Sequence, residues 1–310
     1  MTKKRHHYIP QFYLNGFVDH NNEPYIWVYD KKGNNIIKST AKDIAVTEHY
    51  FSFKDISGIK DSDSIENFIA ELEGIAASIL KKIFNNNTLN DNEKMDFAYF
   101  VALMMVRVPN FRENIETAFA ETAKIFMQFS ASHKGNFEAM VKRYQEQTGN
   151  DLGMPIEEAR QVYLNLDKHY KLKTNPQISL AMSLNHIKDY ARLFFNMKWL
   201  FLRATTEYKF LSGDNPLYYF DPTHNPRSFY GVGLCNKNIE VTLPLSQDLC
   251  ALGTWHGKEG YLQATNQLVK IANQKTVIAS LRFVFSSEKS ETINNFVKKY
   301  QDSAPKIRVG

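Results

Sequence analysis

The chain has 310 residues, of which 43% are hydrophobic, 13% aromatic and 23% charged, a composition typical of folded proteins. Its formal net charge of +5 is compatible with a nucleic-acid or phosphate partner but does not require one, since such binders usually cluster their charge on one face. No apolar stretch approaches the ~20 residues that a bilayer requires, and the 2 cysteines form no paired motif, which argues against a membrane protein, a disulfide scaffold and a zinc ribbon. The basic N-terminus has no apolar segment behind it, so we expect no secretory signal and a cytoplasmic location.

The N-terminal region predicts a β-hairpin. Residues 25–29 form a run of aromatic and β-branched residues, residues 30–34 contain turn formers, and Ile36 and Ile37 begin a second strand. A further short strand is expected at residues 49–53. Residues 1–61 are therefore predicted to form a segment that joins a β-sheet.

The middle of the chain predicts a helical bundle. From residue 63 to Ile83 the apolar residues recur at steps of three and four, which indicates an amphipathic helix with Ser62 or Asp63 as its N-cap. Further helices are expected at residues 92–108, 109–132, 136–148, 155–166 and 176–196. Pro109 suits the first turn of a helix. Residues 62–197 are predicted to form this bundle.

The C-terminal part returns to a mixture of strands and helices. Strands are expected at residues 198–203, 208–211, 239–243, 249–252 and 277–285, and helices at 261–275 and 288–300. The simplest assembly pairs the N-terminal hairpin with the strands of residues 198–310 in one mixed sheet, with the helical bundle inserted between them. We therefore predict an α+β fold.

The first candidate site is the segment HHYIPQFYLNGF at residues 6–17. His6 or His7 could act as a general acid, a general base or a metal ligand, with Gln11 and Tyr13 orienting it. In an extended stretch the two histidines point to opposite sides, so only one is expected to face a given site. The alternative is an anchored chain terminus whose histidines form hydrogen bonds at the surface.

The second candidate site is the segment FLSGDNPL at residues 210–217, where an apolar strand ends in small, acidic and amide residues. Asp214 could bind a divalent cation or hold a histidine in one tautomer, with Ser212 and Asn215 beside it. The alternative is turn chemistry, in which Asp-Asn-Pro ends the strand and Asp214 bonds to its own backbone.

The third candidate is the corner between two predicted helices. Arg107 and Arg112 flank Pro109 and could converge on a phosphate or carboxylate. The alternative is that Arg107 caps a helix and Arg112 pairs on the surface. Glu66 and Glu73 lie one heptad apart beside the apolar stripe of the first helix, a spacing that favours a solvated edge for both.

Well-known catalytic motifs are absent from the sequence. It contains neither GxxxxGK[ST] nor GxGxxG, and neither HExxH nor GxSxG. The sequence therefore gives no support for a P-loop, a Rossmann turn, a zincin or an α/β-hydrolase. An active site in this chain must be assembled from distant segments.

The opening HHYIPQFYLNGF and the later SGDNP segment are similar to those of an uncharacterised, mainly bacterial family called domain of unknown function four-two-three-eight. Weaker landmarks extend the resemblance over nearly all of the chain, with Gly213 where a serine or similar small residue is expected. The resemblance implies which polar residues deserve attention, and these would share one cleft: His6, His7, Gln11, Tyr13, Arg107, Ser212, Asp214 and Asn215.

Two functions remain open at this point. The first is a hydrolase of a phosphate-bearing substrate, namely a metal-dependent nuclease or nucleotide hydrolase with a role in bacterial defence. A histidine would transfer the proton, Asp214 would hold Mg²⁺ or Mn²⁺ or orient the histidine, and Arg107 would stabilise phosphate charge. The second is a non-catalytic module that binds a peptide or single-stranded nucleic acid through exposed aromatic residues.

Overall fold

A computed structural model describes residues 5–33, 35–48, 50–51, 53–54, 60–61, 63–173, 175–224 and 232–303. Helices account for 49% and strands for 18% of the chain, which confirms the predicted α+β class. The described residues form two compact units, one of residues 5–112 and 180–303 and one of residues 113–179. They contain no helix that is long and apolar enough to cross a membrane.

The strands, in chain order, are β1 (Arg5–His7), β2 (Tyr25–Asp30), β3 (Ile36–Thr40), β4 (Val46–Glu48), β5 (Phe53–Lys54), β6 (Lys60–Asp61), β7 (Lys198–Arg203), β8 (Ser212–Gly213), β9 (Tyr218–Phe220), β10 (Glu240–Ser246), β11 (Leu249–Thr254), β12 (Gly260–Gln263) and β13 (Phe283–Ser286). The α-helices are α1 (Gln11–Leu14), α2 (Asp63–Phe84), α3 (Asp91–Val106), α4 (Pro109–Ser132), α5 (Lys134–Thr148), α6 (Ile156–Leu164), α7 (Leu166–His169), α8 (Pro176–Asn185), α9 (Ile187–Phe195), α10 (Asn266–Ala279) and α11 (Glu291–Lys299).

The predicted hairpin is present, and it joins a C-terminal strand. β2 pairs antiparallel with β3, and its other edge pairs with β13, in a four-stranded sheet of order β3-β2-β13-β8. Ile26 and Val28 point into the core and are almost fully buried, as the alternation of a strand requires. This sheet therefore unites the two ends of the sequence.

The C-terminal strands also form a second sheet that the sequence analysis did not separate from the first. Its order is β12-β7-β11-β10-β9, and β12 runs parallel to β7 whereas the other pairs are antiparallel. The hairpin thus pairs with C-terminal strands as expected, and the remaining C-terminal strands form a sheet of their own. The strongly apolar strands β7, β10 and β11 pair with one another, and the hairpin pairs with β13 instead.

Helices α2, α3 and α9 pack together in the first unit. α3 starts with a capping box, in which the Asn90 side chain accepts the Glu93 N–H and the Glu93 side chain accepts the Asn90 N–H. Phe97 and Phe100 of this helix are almost fully buried, and Phe97 contacts Trp199 of β7 edge-on at 5.1 Å. α2 and α3, which the sequence analysis grouped with the helical block, thus lie in the same unit as the second sheet.

The second unit contains most of α4 together with α5, α6 and α7. Its core consists of Ala131, Phe137, Val141 and Ala159. The predicted helices at 109–132 and 136–148 are present, whereas the one expected at 155–166 is divided into α6 and α7. The helix expected at 176–196 is likewise two helices, which meet at His186.

Residues 208–211 do not form the expected strand, because other groups satisfy their backbone. The Phe210 N–H donates to the Gln247 carbonyl at 2.9 Å, and the Leu211 N–H donates to Asn273 Oδ1 at 2.9 Å. The Asn273 amide in turn donates to the Lys209 carbonyl at 2.8 Å. The Asn273 side chain of α10 therefore forms hydrogen bonds that the backbone of a neighbouring strand would otherwise form.

Two other boundaries differ from the expectation. Residues 261–263 belong to β12, and α10 begins only after its N-cap Thr265. The strand expected at 277–285 starts at Phe283, because α10 continues to Ala279. Of the strand expected at 49–53, His49 and Ser52 lie outside the described residues, as does the candidate N-cap Ser62, and residues 50–51 form a turn.

Candidate functional site

The first unit contains a cleft of about 450 Å³. It is built from β1, α1, one face of α2 and the residue that caps the C-terminus of α3. All but Ile69 and Ala70 of the residues that line it are polar, charged or aromatic or belong to the opening segment at residues 6–17. The lining residues are Arg5, His6, His7, Pro10, Gln11, Phe12, Phe51, Glu66, Asn67, Ile69, Ala70, Glu73 and Arg107.

His6 is buried and held in one tautomer. Its Nδ1 accepts the Phe51 backbone N–H at 2.8 Å, so the neutral ring must carry its proton on Nε2. Nε2 lies 2.5 Å from Glu66 Oε1. The ring also stacks on Phe51, with 5.8 Å between centroids. With both nitrogens engaged, His6 positions β1 against α2 and does not offer a lone pair to the cleft.

His7 is half-buried and also lines the cleft, although strand alternation predicted that only one histidine would do so. Its Nε2 donates to the Lys42 carbonyl at 3.1 Å, which leaves Nδ1 as the basic nitrogen. The Gln11 amide lies 3.3 Å from Nδ1, at the upper limit for a hydrogen bond. Burial, Arg107 and Arg5 lower the pKa of His7 below its usual value, while the bond to Lys42 opposes them. His7 is therefore a neutral base at neutral pH.

Arg107 holds His7 in place through the backbone. Its buried guanidinium donates from Nη1 to Glu73 Oε1 at 2.7 Å and from Nη2 to the His7 carbonyl at 2.6 Å. Nε is buried without a hydrogen-bond partner among the described residues. Arg107 thus does more than cap a helix, since it ties α3 to α2 and β1.

Glu66 and Glu73 do not form the solvated edge that their spacing suggested. Glu66 faces His6 and Glu73 pairs with Arg107, and the side chains are 20% and 27% exposed. Asn67 and Ala70 lie between them on the same face of α2, and this face lines the cleft. Helical periodicity showed that both glutamates share a flank, but it could not show what covers that flank.

Tyr13 and Ser212 meet each other outside this cleft. The buried Tyr13 hydroxyl donates to the Pro244 carbonyl at 2.6 Å, and the Ser212 hydroxyl lies 2.9 Å from it. Because Tyr13 donates to the carbonyl, Ser212 donates to Tyr13. Burial raises the pKa of Tyr13 far above its usual value. This pair joins α1 to β8 and β10 and leaves no proton free for transfer.

Asp214 occupies a turn and has its own set of partners. Its Oδ1 accepts the Leu281 N–H at 2.8 Å, and its Oδ2 accepts the N–H groups of Arg282 and Phe283, each at 2.9 Å. Burial raises the pKa of this carboxyl to about 6, against the effect of the three bonds. The Asn215 amide donates to the Ala279 carbonyl at 3.0 Å. Both side chains therefore bond to the segment in which α10 ends and the chain turns into β13, about 65 residues away, and not to the local backbone that the turn-chemistry alternative expected.

The structure thus brings together only part of the predicted site. His6, His7, Gln11 and Arg107 line one cleft, whereas Tyr13, Ser212, Asp214 and Asn215 form contacts elsewhere. Arg112 donates to the Tyr50 carbonyl at 2.9 Å and its guanidinium lies over the Tyr50 ring. The carboxylate that faces a histidine of the opening segment at 2.5 Å is Glu66, not Asp214. No group of three or more His, Cys, Asp or Glu side chains within the described residues could hold a metal ion.

The cleft combines a base, cations and carboxylates in one small volume. The basic nitrogen is Nδ1 of His7, and Gln11 beside it is exposed and can yield to a ligand. Arg5 is 53% exposed and only loosely paired with Asp43 at 3.5 Å, so its guanidinium is available to an anion. This arrangement can accept a proton from a water molecule or hydroxyl group next to a bound anion.

The comparison with protein families confirms the family to which the sequence analysis found a resemblance. The model of the family described as "Protein of unknown function (DUF4238)" matches residues 5–290. The match includes every residue of the cleft. No curated protein and no solved structure matched the chain. Because the family model covers most of the sequence, this chain belongs to the DUF4238 family.

Proposed function

We propose that this protein is a hydrolase of a small phosphate-bearing substrate and that His7 is its general base. The observation that carries the proposal is the state of His7, whose Nε2 is tied to the Lys42 carbonyl so that Nδ1 is directed to Gln11 in the cleft. A lowered pKa keeps this nitrogen unprotonated at neutral pH. Water held at Nδ1 would lose its proton to His7 as its oxygen bonds to phosphorus, while the P–O bond to the leaving group breaks and the departing oxygen takes a proton from solvent.

Arg5 is the residue proposed to bind the phosphate. It lines the cleft, it is 53% exposed, and its partner Asp43 is equally exposed, so little free energy is lost when Arg5 turns to a ligand. Arg107 is a positioning residue in this scheme, since its guanidinium already serves Glu73 and the His7 carbonyl. Arg107 therefore acts on the phosphate only through the position of His7.

The size of the cleft favours a nucleotide over a nucleic acid. Its 450 Å³ lies in the range of about 300–1,000 Å³ that small-molecule sites occupy. The two cleft arginines are balanced by Glu66 and Glu73, whereas a nucleic-acid groove needs an excess of positive charge. Within the hydrolase hypothesis we therefore favour a nucleotide hydrolase. The cytoplasmic location, the bacterial defence role and a requirement for Mg²⁺ or Mn²⁺ stay parts of the proposal.

The test is a turnover assay with purified full-length protein. Nucleoside mono- and triphosphates, single- and double-stranded DNA, and RNA are each incubated with Mg²⁺, Mn²⁺ or a chelator. We expect release of phosphate from a free nucleotide, loss of turnover in His7→Ala, and a raised KM in Arg5→Gln. His20→Ala is the matched control, because His20 is an exposed histidine on the surface. Equal turnover in His7→Ala and His20→Ala would contradict the role of His7.

A non-catalytic binding function has one observation in its favour. Phe126 and Phe129 of α4 are 66% and 68% exposed, which is unusual for phenylalanine, and such rings can stack on nucleic-acid bases. Under this alternative a fluorescent single-stranded oligonucleotide binds the wild type, and Phe126→Ser with Phe129→Ser abolishes binding. Absence of turnover in the whole panel together with such binding would favour this second function.

A further inference from the structure

The second unit contains a cleft of its own, with a volume of about 440 Å³. Most of its lining residues are apolar, and they come from α4, α6, α7 and the segments that precede and follow the last two helices. None of them lines the cleft of His7. The lining residues are Met127, Leu152, Met154, Ala159, Val162, Tyr163, Leu166, Tyr170, Lys171, Leu172 and Lys173.

The floor of this cleft is one face of α6. Ala159, Val162 and Tyr163 are spaced by three and four residues, so they lie side by side on the helix. The Tyr163 ring contacts Phe137 edge-on at 5.2 Å, which fixes this face against the core of the unit. Met127 and Leu152 complete the apolar wall. The cleft is therefore a preformed apolar cavity with a well-packed back.

One rim of the cleft is positively charged. Lys171 and Lys173 are both exposed, and they flank Leu172 in a segment that forms neither helix nor strand. No aspartate or glutamate is among the residues that line the cleft within the described part of the chain. The rim thus carries two positive charges that no carboxylate of the lining balances, next to an apolar floor.

We propose that this cleft binds a free long-chain carboxylate, with the acyl chain on the floor and the carboxylate at Lys171 and Lys173. The volume lies in the range of about 300–1,000 Å³ for small-molecule sites, and such sites combine apolar walls with a few polar groups that fix the orientation of the ligand. Burial of methylene groups supplies the affinity, and the lysine pair selects the anionic head.

The charge of the second unit distinguishes this ligand from a membrane surface. Residues 113–179 carry 9 acidic and 8 basic residues, so the unit as a whole has no attraction for anionic lipid. The described lining of the cleft, by contrast, contains two lysines and no carboxylate. A single anionic group on a chain that fits the cavity matches this pattern, whereas a membrane needs a broad basic face.

The test is calorimetric titration of the full-length protein with dodecanoate, below the concentration at which it forms micelles. We expect saturable binding of one molecule per chain. Lys171→Gln combined with Lys173→Gln should weaken binding at least tenfold, and dodecanol should bind more weakly than dodecanoate. Lys168→Gln is the matched control, because Lys168 is exposed on α7 but does not line the cleft.

Two variants that fill the cleft complete the test. Val162→Trp blocks the floor, and Met154→Trp narrows the cleft at a position that is already 42% exposed, so that folding is less affected. Circular dichroism establishes which variants are folded. Absence of saturable binding to the wild type, undiminished binding to a folded tryptophan variant, or equal affinity of the lysine double variant and Lys168→Gln would overturn the proposal. These outcomes are independent of phosphate hydrolysis, because no residue of the His7 cleft is changed.

Discussion

Arg107 Nη2 lies 2.6 Å from the carbonyl oxygen of His7, so a side chain at the end of α3 holds the backbone of a residue a hundred positions earlier. The same guanidinium reaches Glu73 of α2 at 2.7 Å. One buried arginine therefore connects β1, α2 and α3 at the cleft. The position of the His7 ring depends on this connection, because the ring is attached to the backbone that Arg107 holds.

Arg107→Lys should destabilise the protein by about 2–3 kcal/mol. The single ammonium group of a lysine cannot bond to both Glu73 and the His7 carbonyl with the planar geometry of a guanidinium, so the largely buried ion pair is disrupted. Urea unfolding followed by circular dichroism measures the loss. Arg192→Lys, at an exposed position on α9, is the control and should change the stability little. A free energy of unfolding equal to that of the control would show that the connection contributes nothing.

The pH dependence of turnover should reveal His7. A general base must be unprotonated, so kcat/KM should rise with pH through the pKa of His7, and the midpoint of this rise should lie below pH 6.5 because the environment lowers this pKa. Arg5 is one of the charges that lower it. Arg5→Gln should therefore move the rising limb to higher pH.

The pKa itself can be measured by NMR titration of the His7 ring, independently of substrate. The ring should titrate below the usual value for histidine in the wild type and closer to it in Arg5→Gln. An unchanged midpoint in the variant, or a limb above pH 6.5 in the wild type, would contradict this account.

Gly213→Ala should destabilise the protein by about 1–3 kcal/mol through overpacking. A Cβ atom at this position would lie 2.0 Å from Ser280 Oγ and 3.0 Å from the Phe283 carbonyl. Ser280 is fully buried and bonded to the Thr276 carbonyl, so it cannot easily move away. The double variant Gly213→Ala, Ser280→Gly should recover part of the loss.

A double-mutant cycle of thermal unfolding measures this coupling. The cost of Gly213→Ala should be smaller in the Ser280→Gly background than in the wild type. Additive effects of the two substitutions would mean that Ser280 is not the obstacle. The contact also explains why glycine stands where the family resemblance led us to expect a serine.

Asp214→Ala should cost about 3 kcal/mol, because three buried N–H groups lose their acceptor. Asp214→Asn should also destabilise, since one carbonyl oxygen cannot serve three donors and the amide adds a donor of its own. Thermal unfolding measures both effects, with the exposed Asp189→Ala as the control. If Asp214→Ala were as stable as Asp189→Ala, the turn would not depend on this carboxylate.

The sequence predicted elements well where local patterns decide them. The start of α4 at Pro109 and the hairpin of β2 and β3 follow from a proline that suits a first turn and from turn formers between two apolar runs. The prediction from sequence was wrong at residues 208–211. Their composition is typical of a strand, but the Leu211 N–H and the Lys209 carbonyl form hydrogen bonds with the Asn273 side chain of α10. The tertiary fold decides which group a backbone N–H or carbonyl bonds to, and the neighbouring sequence does not identify that partner.

For the candidate site as well, the sequence identified several residues but not the surroundings of others. The polar residues of the opening segment and Arg107 were singled out from sequence, and His6, His7, Gln11 and Arg107 line the cleft. The two glutamates of α2 were read as solvated, because a helical pattern reports which residues share a flank but not which residues of β1 and α3 cover it.

By itself the sequence determined the α+β class, most helices, the hairpin and the family, since composition, periodicity and a dense motif are local properties of the chain. Only the tertiary structure decided that Asp214 serves the turn before β13 while Glu66 faces His6. Both carboxylates have the same chemistry. Their roles differ because the fold surrounds Asp214 with three backbone N–H groups and sets Glu66 against a buried ring, and these neighbours come from parts of the chain far from either residue.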